Sequence, residues 1–238
     1  MEGAGYPNAS ALLAASDEEI LNLAAQAEVS RYNSGRNPEG RWLRYMHDGI
    51  ADKHVLDFGC GFGLESLQLA RRGNRITLVD INASSVRLAH RVLSLHGFGE
   101  HVAATVVASD RYPYFDSPAG KVDVFYACGV LHHLPYPVNV LARACEVLAP
   151  RGEIRLMLYT DKAWQVSTGS PAPPVNEDVV DNPQFEAFHR AFDCVGRYAD
   201  WYSEERLWRR FGSFLDVTAY HELNLDGVYA AATLKPVR

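Results

Sequence analysis

Apolar and polar positions alternate along this chain in short blocks whose lengths predict a layered α/β domain. Ser16 and Glu19 have capping-box spacing, and Ile20, Leu21, Leu23, Ala24 and Ala27 follow on one helical face, so a helix precedes the domain proper. Asn37-Pro38 puts a proline into the first turn of a second helix, which carries Trp42, Leu43 and Tyr45. Apolar runs at 54–58, 76–79 and within 103–107 are separated by helical patterns from Leu64 and over 83–95, a βαβαβ rhythm. A fourth run at 121–126 and a fifth at 153–159 flank a helix over 137–148, and Pro150-Arg151-Gly152 announces the fifth strand. Strands that are short and apolar throughout fit a parallel sheet covered on both faces.

The last third departs from this alternation. Residues 160–182 are rich in Pro, Ser, Gly and Asp and read as a long loop of the kind that forms lids. A helical stretch over 185–192 follows, and Ser203 can cap a helix that ends at Gly212. Runs at 215–223 and 228–234 face each other across Asn224-Leu225-Asp226-Gly227, a hairpin signal that gives the sheet an antiparallel end. The expected architecture is one α/β domain over 1–238, with 1–50 as an N-terminal helical cap and 160–200 as an insertion over the substrate side.

Composition narrows the partners. The 238 residues suffice to bury a substantial core. A formal net charge of -6 lacks the basic footprint of a protein that tracks nucleic-acid phosphates, so a small-molecule partner is expected and a nucleic acid is not. No apolar run approaches the roughly 18 residues of a membrane span, and the first residues place no basic segment ahead of an apolar one, so a cytoplasmic protein is expected. Cys60, Cys128, Cys145 and Cys194 are scattered without a CxxC pair, and His90, His96 and His101 lack ligand spacing. They predict buried thiols and no metal.

The candidate chemistry begins at 55–70, VLDFGCGFGLESLQLA. A strand runs into glycines at 59, 61 and 63 and then into a helix, the grammar of a nucleotide cradle: glycine lets the backbone turn tightly, and the helix start offers N–H groups. The NAD fingerprint wants its third glycine three positions after the second, where Leu64 stands, and this weakens a pyrophosphate reading. Asp80 lies about 20 residues on, at a strand end, where an acid accepts both hydroxyls of a ribose. That acid suits any adenosine-containing cofactor.

Five segments in order resemble the class I S-adenosylmethionine-dependent methyltransferases, in their ubiquinone-type and small-molecule branches. They are Asp57-Phe58-Gly59-Cys60-Gly61-Phe62-Gly63, Val79-Asp80-Ile81, Ser109-Asp110-Arg111, the stretch from Tyr126 through Cys128, His132 and His133 to Pro135, and Leu148-Ala149-Pro150-Arg151-Gly152. The resemblance covers about residues 50–160 and implies a Rossmann-like, mostly parallel sheet that binds S-adenosylmethionine and releases S-adenosylhomocysteine. It implies cofactor contacts from Asp57, Gly59, Cys60, Gly61, Asp80, Ile81, Asp110, Arg111 and Cys128. Methyl transfer from a sulfonium is chiefly a matter of holding the acceptor in line and excluding water. An acceptor that carries a proton also needs a base, for which His132 is the first candidate, with His133 bracing the loop; neighbouring side chains there are expected to diverge. A purely structural role for the pair stays open, since many such transferases need no protein base.

Relatives without a separate substrate domain build the acceptor pocket from N-terminal helices and an insertion after strand five, and this chain has both. The candidates are Tyr6, Tyr32, Arg36, Trp42, Tyr159, Trp164 and Tyr202, an aromatic and partly basic set suited to a small cyclic or polar metabolite. The expected activity is O- or N-methylation of such a metabolite, with a bacterial secondary metabolite among the options. Rival readings are a tRNA or protein methyltransferase, an NAD-dependent oxidoreductase, and a non-catalytic cofactor-binding partner. The acceptor, the methylated atom and the oligomeric state, a homodimer among the options, are left open by the sequence.

Overall fold

A computed structural model of the protein describes residues 8–32, 38–108, 115, 117–192 and 198–237. Its centre is one seven-stranded sheet made of β1 (His54–Phe58), β2 (Arg75–Asp80), β3 (Val102–Val107), β4 (Val122–Cys128), β5 (Leu148–Tyr159), β6 (Leu215–Glu222) and β7 (Tyr229–Pro236). The spatial order is β3-β2-β1-β4-β5-β7-β6. The first five strands are parallel, and β7 enters antiparallel between β5 and β6. All five residues of β1 are buried, as a central strand covered on both faces requires. The order reverses between β1 and β4, the switch point where the carboxyl ends of the strands leave a crevice for a ligand.

The helices α3 (Leu64–Ala70), α4 (Ala83–Leu95) and α5 (Pro137–Val147) make the parallel crossovers, and the helix starts at Leu64 and Ala83 fall where the sequence pattern put them. Ahead of the sheet, α1 (Ala9–Leu12) and α2 (Asp17–Tyr32) pack on α4, and α2 also on α3. The capping box of α2 is formed: Ser16 N–H donates to Glu19 Oε2 at 2.8 Å, and Glu19 N–H donates back to Ser16 Oγ at 3.2 Å. Arg91 of α4 gives its guanidinium to the carbonyls of Leu13 and Ala15, both at 2.9 Å, and to Asp17, so one side chain of the domain holds the turn between α1 and α2.

Two expectations are corrected. The helix expected from Pro38 is a 3₁₀ turn (Pro38–Gly40) followed by a single wide turn over Leu43–His47; Arg155 of β5 holds the carbonyls of Tyr45 and Asp48, and that anchor fixes the segment without a regular helix. The loop read over 160–182 contains α6 (Asp161–Thr168), capped by Thr160, whose Oγ1 accepts from Ala163 N–H. Composition hid this helix because the prolines lie after it, from Pro171 onward. A 3₁₀ turn (Val179–Asp181) and α7 (Phe185–Phe192) complete the insertion, and α8 (Glu204–Phe211) leads to the hairpin. Trp164, Phe188, Val179, Ala199 and Trp201 give the insertion its own apolar cluster, which reaches the sheet at Tyr159. No helix among the described residues is long and apolar enough to cross a membrane.

Candidate active site

The glycine loop leaves β1 and is tied at once to the next strand: the N–H groups of Gly59 and Cys60 both donate to the carbonyl of Val79, at 2.7 and 3.0 Å. Gly63 stands at φ +86, and a Cβ there would lie 2.8 Å from the Cα of Ala89, so α3 can start this close to α4 only with glycine at that position. Gly61 differs. Its backbone is left-handed at φ +51, yet a Cβ would approach nothing but a backbone oxygen at 3.9 Å, so this glycine faces open space. Its N–H donates to Asp80 Oδ2 at 3.1 Å, and Asn82 N–H donates to Asp80 Oδ1 at 2.8 Å. The acid is thereby fixed at the end of β2, beside Ile81, whose apolar side chain is 63% exposed. A held carboxylate, an exposed apolar face and an open glycine backbone at a helix start match the ribose, ring and chain of an adenosyl cofactor.

Asp57 takes a different position from an open-faced ligand group. Its carboxylate is buried under the loop and accepts from Ser66 Oγ, which joins β1 to the first turn of α3. Burial pushes its pKa up to about 7, against the pull of the Ser66 hydrogen bond. Cys60 and Cys128 lie at the ends of β1 and β4, and burial raises both thiols well above their ordinary value. Among the described residues no group of His, Cys, Asp and Glu could hold a metal ion. Asp110, Arg111, Tyr6 and Arg36 fall outside the described residues.

A polar cluster that the sequence reading missed lies beside the loop. Glu65, the second residue of α3, accepts on Oε1 from Arg31 Nη1 at 2.7 Å and Tyr32 OH at 2.8 Å, and on Oε2 from His47 Nε2 and Tyr126 OH, both at 2.7 Å. Burial alone would raise this carboxyl, but the His47 hydrogen bond, the Arg31 charge and the Tyr126 hydroxyl together hold it well below the usual carboxylate range. Tyr32, a candidate for the acceptor pocket, is thus buried with its hydroxyl committed to Glu65. The signal for Glu65 was an acid among Leu64, Leu67 and Leu69 in a helix with almost no exposed residue.

The histidine pair sits on a 3₁₀ turn (Leu131–His133) after β4. The rings do not diverge as expected: their centroids are 4.4 Å apart, and His132 also stacks on Tyr159 at 3.7 Å. The turn folds the two side chains back against β5, which an extended segment would not do. His132 is fully buried, with Nδ1 accepting from Tyr159 N–H at 3.3 Å, while its Nε2 has no hydrogen-bond partner among the described residues. In the neutral ring that bond places the proton on Nε2, so Nε2 has no lone pair to act as a base. Burial, and then His133, pull its pKa well below the ordinary value. His133 is half-buried and its Nδ1 lies 3.4 Å from the carbonyl of Tyr198, which leaves the lone pair on Nε2. The geometry sets His132 against β5 and gives His133 the tautomer in which Nε2 keeps its lone pair.

Tyr159, at the end of β5, donates its hydroxyl to the carbonyl of Phe192 at 3.0 Å and contacts both histidines, so it links the histidine turn to the insertion. Trp164 and Tyr202 are fully buried and Trp42 nearly so. Trp164 packs on Phe188 at 4.8 Å inside the insertion, a core position in place of the pocket wall expected of it.

The sheet order, with the glycine loop at its switch point, is the fold of class I S-adenosylmethionine-dependent methyltransferases, the class whose methyl donor is S-adenosylmethionine. Residues 55–152 match the methyltransferase domain family. The ubiquinone biosynthesis O-methyltransferase of Erwinia tasmaniensis is 31% identical over 125 residues, which cover 52% of this chain and 50% of that protein. The ribosomal RNA small subunit methyltransferase C of Pseudomonas entomophila is 31% identical over 142 residues, 56% of this chain and 41% of that one. The chain thus spans about half the length of the curated relatives it matches. Among solved structures, the CcbJ methyltransferase from Streptomyces caelestis superposes with a TM-score of 0.64 at 14% identity, covering 89% of this chain and 96% of that one. The O-methyltransferase NcsB1 from neocarzinostatin biosynthesis, bound to S-adenosylmethionine and a naphthoic acid, gives 0.57 at 16% identity, covering 92% and 57%. These likenesses show a shared fold over about nine tenths of this chain.

Proposed function

We propose that this chain transfers a methyl group from S-adenosylmethionine to an oxygen or nitrogen of a small metabolite, in the cytoplasm. S-adenosylmethionine supplies an activated methyl on a positively charged sulfur. The chain's own part is to hold the adenosyl end and to orient and dry the acceptor. Asp57, Gly59, Cys60, Gly61, Asp80, Ile81 and Cys128 are the described residues assigned to the donor, Asp57 from beneath the loop; Asp110 and Arg111 are assigned with them from the resemblance.

The observation that carries the reading is the ring contact of His132, His133 and Tyr159 at the carboxyl ends of β4 and β5, on the side of the sheet where the glycine loop lies. Here the half-buried His133 is the group suited to take a proton from the acceptor. We take residues 1–238 as one methyltransferase domain, 1–50 as its cap and 160–200 as the insertion that covers the acceptor. The naphthoic acid in the NcsB1 complex and the neocarzinostatin biosynthesis named for that enzyme support an aromatic or cyclic secondary metabolite as acceptor. The net charge of -6 argues against a nucleic acid.

Calorimetry with S-adenosylmethionine, S-adenosylhomocysteine and NAD, with Asp80→Ala as control, tests the donor. Both adenosyl compounds bind the native chain, and Asp80→Ala loses them by about tenfold or more, because the loop amide of Gly61 and the ribose lose the same acceptor. Labelled methyl transfer to panels of small phenols, carboxylates and amines, set against tRNA and protein, tests the acceptor. Turnover confined to tRNA or protein would overturn the small-metabolite reading.

A further inference from the structure

We propose that Glu65 is a positioning residue that couples docking of the N-terminal cap to the shape of the glycine loop, so that cap and donor site close as one unit. The inference rests on the reading that the loop holds S-adenosylmethionine.

Glu65 lies two residues after Gly63, in the first turn of α3, where Leu67 N–H bonds back to the Gly63 carbonyl at 2.9 Å. Consecutive side chains of that turn reach in different directions. Ser66 holds Asp57 of β1, and Glu65 holds the cap. Of the four donors on its carboxylate, Tyr126 comes from the sheet, while Arg31, Tyr32 and His47 come from the segments that precede it. Oε1 is served by the last turn of α2 alone among these four.

The carboxylate side chain is 7% exposed, so lifting α2 would strip Oε1 of both donors and leave a buried charge half-satisfied. Such a group has two stable settings: fully partnered with the cap docked, or hydrated with α3 shifted. A second contact of α2 with α3 reinforces the choice, since Glu28, one turn earlier in α2, accepts from Gln68 of α3 at 2.9 Å and from Arg71, just after that helix, at 2.6 Å. Tyr32, Trp42, Cys60, Leu64 and Tyr126 share one apolar cluster, so cap and loop also bury each other's apolar surface.

The test uses Glu65→Gln, Arg31→Met and their double variant, read by hydrogen exchange of residues 17–32 and 38–47 in the free protein and by calorimetric binding of S-adenosylhomocysteine. Each single variant raises exchange in the cap and weakens the ligand by about tenfold, and the double variant binds no more weakly than Glu65→Gln because Arg31→Met removes an ion pair that Glu65→Gln already breaks. A merely structural role would lower the melting temperature while leaving affinity unchanged well below it. Native exchange in the cap, unchanged affinity, or additive losses would each overturn the proposal. Arg31 is partly exposed, so its variant keeps the test decisive should Glu65→Gln fail to fold. Should the native chain bind no adenosyl compound, the methyltransferase reading falls, and exchange in the free protein decides on its own whether Glu65 holds the cap.

Discussion

Asp200 and Arg206 form an ion pair at 3.0 Å in which neither side chain is reached by solvent. From its two Nη groups Arg206 also donates to the carbonyls of Pro174, Val175 and Glu177, and Arg210 and the Tyr198 hydroxyl also reach Asp200. The Asp200 N–H in turn donates to the carbonyl of His132 at 2.8 Å. One buried residue therefore joins α8, the proline-rich loop and, through its backbone N–H, the histidine turn. Arg210 also donates to the hydroxyl of Tyr202, so it is held from two sides.

Breaking this pair from one side leaves a buried charge short of partners. Arg206→Met costs about 3 to 5 kcal/mol in guanidinium denaturation. Arg209→Met, which removes an exposed pair with Glu205 on the same helix, costs at most about 0.5 kcal/mol. Equal losses in the two variants would refute a special role for the buried pair.

The tautomers separate the two histidines. His133→Asn lowers the rate of methyl transfer by about a hundredfold or more and removes the fall in rate on the acid side of the pH profile. His132→Asn acts through the position of β5 and lowers the rate by less than about tenfold, with the acid limb retained. The check is the pH dependence of kcat for both variants on the same acceptor, and a retained acid limb in His133→Asn would return the assignment to His132.

Asp57 gives a pH signature with a defined sign. Its folded pKa of about 7 lies above its ordinary value of 3.8, so the folded chain holds more protons than the unfolded one between those values, and this group weakens the fold as pH rises through that window. Asp57→Asn keeps an acceptor for Ser66 without the charge. Its melting temperature relative to the native chain rises from pH 5 to pH 8, and a constant difference across that range would contradict the assignment.

Alanine at Gly63 meets the Cα of Ala89 and a left-handed backbone at once, whereas alanine at Gly61 meets the backbone strain without the clash. Gly63→Ala is therefore the more destabilising of the two in thermal melts. Gly61→Ala keeps more of its fold and loses adenosyl binding by about tenfold or more, because the methyl enters the open face of the loop. Adenosyl binding at native strength in Gly61→Ala would move the cofactor away from that face.

The strand and helix rhythm was legible because burial on both faces forces unbroken apolar runs, and the hairpin because Asn224 and Gly227 punctuate it. Gly61 and Asp80 were legible because their chemistry is local: nineteen residues separate them, and one crossover brings them together. Glu65 was not, since its four partners are drawn from positions 31, 32, 47 and 126, and no local pattern encodes such a meeting. The histidines were found as a pair, but the tautomer of each is set by a distant backbone group that no local pattern encodes, Tyr159 N–H for one and Tyr198 C=O for the other. α6 stayed hidden behind the prolines that follow it.

The sheet order also has a temporal meaning. Among the described strands, β6 pairs with β7 alone, yet β7 comes after it in the chain and separates it from β5. During synthesis β6 emerges first and has no strand to join, while β5 presents an unpaired edge that only later residues can cover. The parallel half of the molecule, with its donor loop, can form on the ribosome, but the outer half waits for residues 229–236. A ribosome stalled between the two strands would hold a nascent chain with an open sheet edge, the kind of surface that chaperones bind.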